Sequence, residues 1–138
     1  MSWKATLARA VFSSRARRAL EEARRDLDAR TLPEAVAARV RIPIGPRVRS
    51  KTMRGVAAAL AGLLERAGET HPCLVSSLAL LGEARRCGYA PSLVLGVRKG
   101  ESGAASHAWL ALDGEPFLEA AHVAASYETI AVLPDPTP

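Results

Sequence analysis

The chain has 138 residues and a mass of 14.6 kDa, enough for one domain and too few for a TIM barrel or for a nucleotide-binding domain beside a catalytic one. With 49% hydrophobic and only 4% aromatic residues, its core must be built mainly from Ala, Leu and Val. The net charge of +5 is uneven: residues 1–50 hold 12 Lys/Arg against 5 Asp/Glu, and the remainder 7 against 9. The basic segment has hardly any aromatics and no positive stripe follows it, so a nucleic-acid partner is not expected.

No apolar run approaches the roughly 18 residues that span a bilayer, and the first residues lack the apolar stretch of a secretory signal. Two cysteines do not make a disulfide framework, and reduced thiols in a cytoplasm are expected. Asn and Gln are both absent, which removes every side-chain amide donor.

Residues 3–30 read as a helix with a thin apolar stripe through Leu7, Val11, Ser14, Arg18 and Leu20. Thr31-Leu32-Pro33-Glu34 reads as the start of a second helix, which ends before the breaker-rich Ile42-Pro43-Ile44-Gly45-Pro46. A third runs from about Ser50 to Ala67, with Met53, Val56, Leu60, Leu63 and Leu64 on one face and Gly68 as its C-cap. A fourth runs from about Pro72 to Arg86, with Leu74, Leu78, Leu81 and Ala84 facing inward.

Leu93–Val97 reads as a buried strand, Arg98–Ser106 as a polar connection, and His107–Leu112 as a second strand. Asp113-Gly114 is a hairpin signal, Pro116–Glu119 a short third strand, Ala120–Ser126 a helical turn, and Pro134–Pro138 a frayed tail. The expected fold is α+β: a basic helical segment over residues 1–50, then a core over 51–138 in which a cysteine-bearing helix packs on a small antiparallel sheet, the whole forming one compact domain.

Cys73 lies at the start of the fourth helix, where free N–H groups and the helix dipole favour a thiolate and can hold a developing oxyanion. His107, at a strand start, is the candidate partner that such a thiolate needs as base and acid. Glu119 is the candidate that orients the imidazole. A three-residue hairpin loop places Glu119 opposite Trp109, on the His107 face. A two-residue loop places it opposite Ala108, on the other face, and leaves Asp113 or Glu115 to serve instead.

His71, Ser76, Ser77 and Trp109 are candidates for the cleft or the oxyanion site. Cys87 is about 14 residues from Cys73, or about 21 Å along a helix, beyond disulfide reach of about 7 Å. It reads as a structural thiol. His71, Cys73, Cys87 and His107 or His122 fit no zinc spacing, and no glycine loop cradles a phosphate, so neither metal nor cofactor is expected.

The strings His71-Pro72-Cys73-Leu74-Val75-Ser76-Ser77-Leu78-Ala79-Leu80, Leu93-Val94-Leu95-Gly96-Val97-Arg98-Lys99 and His107-Ala108-Trp109-Leu110-Ala111-Leu112-Asp113-Gly114 resemble the transglutaminase-like cysteine-protease superfamily. More narrowly, they resemble the lasso-peptide B2 proteins, which are leader peptidases. The resemblance runs from Cys73 to about Tyr127. It implies a papain-like core, Cys73 as nucleophile, His107 as its base and acid, and an acid near Glu119, where relatives usually carry Asp. It also implies three partners: a lasso precursor peptide, a separate leader-binding protein of the B1 type, and an ATP-dependent macrolactam synthetase. A second oxyanion donor, with no Asn or Gln present, is backbone, His71 or a hydroxyl such as Ser76. The readings left open beside it are another acyl-transfer enzyme of the same fold and a non-catalytic scaffold that binds the precursor or the synthetase.

Overall fold

The computed structural model describes residues 3–69, 71–100 and 103–134. Its elements are α1 (Trp3–Ala29), α2 (Leu32–Val40), α3 (Ser50–Ala67), α4 (Pro72–Arg86), β1 (Ser92–Gly100), β2 (Gly103–Leu112), β3 (Glu115–Phe117), α5 (Ala121–Ala125) and β4 (Glu128–Leu133). This is the expected α+β arrangement, with one antiparallel sheet in the order β3-β2-β1-β4.

Local chemistry sets most helix limits. Thr31 caps α2, its side chain accepting from the Glu34 N–H while the Glu34 carboxylate takes the Thr31 N–H in return. This closes a capping box, with Pro33 in the first turn. Gly68 ends α3 in the left-handed conformation (φ 63°), where a side chain would be strained. Pro72 opens α4, where its missing N–H costs nothing.

α4 is the central element. It is buried almost all round from Val75 to Ala84, between α1, α2 and α3 on one side and the face of the sheet that carries Leu93 and Leu110 on the other. α3 presents Met53, Val56, Leu60 and Leu64 to this core, as its periodicity predicts. Of the stripe expected on α1, Leu20 is buried, and Ala16, Ala19 and Ala23 join it. Small side chains let α1 approach α4 closely, so a hydropathy pattern that weights large residues misses it. Leu7 and Val11 are exposed, as is Trp3.

The sheet departs from expectation in three places. Arg98–Ser106 is no loose connection: the β1–β2 ladder continues through Val97↔Ser106 to Gly100↔Gly103. His107 therefore sits inside β2, opposite Gly96. Residues 128–133 form β4, paired to β1, a strand whose alternation is too weak to read. β3 stops at Phe117, because Leu118 adopts a positive φ of 59° and leaves the ladder. Residues 135–138, most of the expected tail, lie outside the described residues.

Candidate active site

The helix α4 and the strand β2 bring the first two candidates together. His107 Nδ1 lies 3.1 Å from Cys73 Sγ, and His107 Nε2 lies 2.9 Å from Glu119 Oε2. A carboxylate only accepts, so the Nε2–H donates to Glu119 and Nδ1 is left with a lone pair facing the sulfur. The thiol proton thus has an acceptor and the ring has a fixed orientation. All three groups are partly shielded, with 14% of the His107 side chain and 21% of that of Glu119 exposed.

How Glu119 gets there corrects the hairpin argument. The turn is the two-residue kind: Leu112 pairs with Glu115 and Leu110 with Phe117, with Asp113 and Gly114 both at positive φ, as a type I′ turn requires. Continued, that register would set Glu119 opposite Ala108 and away from the imidazole. The left-handed Leu118 breaks the alternation and swings Glu119 back to His107. Asp113 and Glu115 stay exposed at the hairpin end.

The same break frees a donor. In this register the odd-numbered residues of β2 bond to β1 and the even-numbered ones to β3. With β3 ended at Phe117, the Ala108 N–H has no strand partner on that side, and it bonds to the Cys73 sulfur together with the N–H of Cys73 itself. These N–H groups favour the thiolate, as the helix start predicts. They do not prevail: burial, and then the negative charge of Glu119, hold the Cys73 thiol above its ordinary value.

Two rings fix the imidazole from the side. The His107 and Trp109 centroids are 5.6 Å apart and nearly parallel, and those of His107 and Tyr127 are 5.0 Å apart. Tyr127, just before β4, is not among the residues that the sequence singles out; with its strand unread, nothing places it beside His107. Gly96 makes room for this cluster, since a Cβ there would lie 2.8 Å from the Trp109 ring and 2.9 Å from the Tyr127 Cβ. Arg98 covers the Tyr127 ring at 4.7 Å.

Two lobes of a cleft meet at Pro72, Cys73, His107 and Ala108. One, of about 450 Å³, is lined by Leu64, Leu80, Ser76, Ser77 and Leu118 and carries the carboxylates of Glu65, Glu69 and Glu119. The other, of about 430 Å³, contains His71, the exposed N-cap residue of α4. Cys87 lines neither lobe. It is buried at the other end of α4, it is a free thiol, and an Arg15 N–H donates to its sulfur at 2.8 Å. Beside it the fully buried Glu83 takes Arg15 at 3.1 Å, Arg86 at 3.2 Å and Arg18 at 3.5 Å. Among the described residues no group of three or more His, Cys, Asp or Glu is placed to hold a metal ion, and no helix is long and apolar enough to cross a membrane.

A thiol at a helix start, an imidazole on the adjoining sheet and a carboxylate behind it are the groups that cysteine-dependent acyl chemistry uses. The chain belongs to the transglutaminase-like superfamily, whose family model matches residues 2–132. This is a fold of cysteine proteases and acyl transferases. No curated protein and no solved structure matches the chain.

Proposed function

We propose that this protein is a cysteine endopeptidase that removes the leader from a lasso-peptide precursor. The observation that carries the chemistry is the line Sγ–Nδ1 at 3.1 Å and Nε2–Oε2 at 2.9 Å, set in an open cleft. The substrate follows from the resemblance of the Cys73, Gly96 and His107 strings to the B2 peptidases.

The S–H proton of Cys73 passes to His107 Nδ1, and the thiolate attacks the carbonyl carbon at the leader–core junction. The N–H groups of Cys73 and Ala108 donate to the oxyanion, in place of the amide side chains that the chain lacks. The C–N bond breaks as the imidazolium returns its proton to the departing core amine, leaving a leader thioester. His107 then takes a proton from water, hydroxide displaces the sulfur, and a free leader carboxylate and the resting thiol result. Glu119 keeps Nδ1 aimed at the sulfur and stabilises the imidazolium. A separate B1-type protein delivers the leader in the cytoplasm, and the synthetase closes the ring on the freed amine.

The test is incubation of precursor with this protein and a B1-type protein, read by mass spectrometry. Leader release by the native chain and none by Cys73→Ala supports the reading. Release by Cys73→Ala would leave a non-catalytic scaffold, and a new amide on the leader carboxylate would make it an acyl transferase.

A further inference from the structure

The second cleft lobe differs from the first in charge. Leu32, Leu74, Leu95 and Ile130 line it with His71 and Ser106, and among the described residues it carries neither a carboxylate nor a cationic Lys or Arg. The first lobe is lined by Glu65, Glu69 and Glu119, of which Glu69 pairs with Arg24 and Glu119 with His107. An elongated substrate lying over Cys73 must occupy both, so one side of its reacting bond meets an uncharged apolar surface.

Ile130 is there through a specific irregularity. Gly96 pairs with Thr129 but Leu95 with Ala131, so the β1–β4 ladder slips at this point and Ile130 is the additional residue. Such a bulge re-aims a side chain. The outcome is a large aliphatic residue that is 61% exposed at the lip of a lobe whose floor is Cys73 and His107. The Leu32 wall is held by the capped start of α2, and all the other described lining residues but His71 lie on α4, β1, β2 or β4.

We propose that Ile130, with Leu32, Leu74 and Leu95, forms a specificity subsite for a large apolar side chain, of Leu or Phe size, beside the bond that Cys73 attacks. This rests on the peptidase reading for its substrate and deepens it.

The test uses epoxysuccinyl probes that carry Leu, Phe, Gly or Asp on either side of the epoxide and label Cys73 without needing hydrolysis. The native chain is expected to react at least about 10-fold faster with Leu or Phe than with Gly or Asp at one of the two positions. Ile130→Asp removes about 10- to 100-fold of that rate, Ile130→Leu keeps it, and iodoacetamide, which has no side chain to place, alkylates Cys73 equally in all three. A native chain with no apolar preference, or an Ile130→Asp chain that retains it, overturns the subsite. So does an equal slowing of iodoacetamide, which would make Ile130 a support of the dyad. Absence of leader release with the preference intact overturns the leader-peptidase reading and leaves the subsite standing.

Discussion

Cys73 is pulled two ways. Burial and the Glu119 charge raise its thiol, while the Ala108 and Cys73 N–H groups lower it. The thiolate therefore depends on proton transfer to His107. Removing the imidazole by His107→Ala leaves the raised thiol alone, and the midpoint of its alkylation by iodoacetamide then lies above that of an ordinary cysteine. In that background Glu119→Gln removes a negative charge near the sulfur, so the midpoint falls. In the native background the same change weakens the contact that holds Nδ1 toward the sulfur, so labelling near neutral pH slows. Opposite signs in the two backgrounds, read from labelling rates against pH, check the assignment. On the peptidase reading proposed above, kcat falls by at least about 10³-fold for His107→Ala. Glu119→Gln costs less than the roughly 10⁴-fold of a sole orienting carboxylate, because Trp109 and Tyr127 also hold the ring.

At the scale of elements, the site depends on where β3 stops. Leu118 alone, by turning left-handed, both delivers Glu119 and uncovers the Ala108 N–H. Leu118→Gly suits that conformation and loses an apolar contact, whereas Leu118→Val places a β-branched residue where it is strained. The valine variant is expected to lose more activity than the glycine one, measured as kcat on the same precursor. Gly96→Ala drives a Cβ into Trp109 and Tyr127. Such overpacking costs about 1–3 kcal/mol, read as a lower denaturant midpoint, with activity lost as the rings shift.

Most helices were legible because caps and periodicity speak locally: Thr31-Leu32-Pro33-Glu34, Gly68 and Pro72 mark the ends that the structure shows. Cys73, His107 and Glu119 were legible as residue types in the right order, and the two distances bring them together. The path of Glu119 was not, since a positive φ at a leucine has no sequence signal, and the two-residue loop alone would set Glu119 on the other face. Nor were Ala108, Ile130 and Tyr127, because the first acts through its backbone, Ile130 belongs to an edge strand with little alternation, and Tyr127 directly precedes that strand.

Across the whole molecule, α4 ties the candidate cleft to the helical layer. Its Glu83 end is held by Arg15, Arg18 and Arg86. Glu83→Gln leaves these guanidinium groups partly open to water, so the cost is about 1–3 kcal/mol, less than for a sealed pair, and is seen as a lower melting temperature. That anchor also sets an angle. Cys73 and Glu83 stand about 15 Å apart along a stiff rod, so a tilt of only a few degrees at the arginine end carries the sulfur sideways by about 1 Å, a displacement that can cost about 100-fold in rate. Alignment of the Cys73 sulfur is thereby entrusted in part to side chains well outside the cleft.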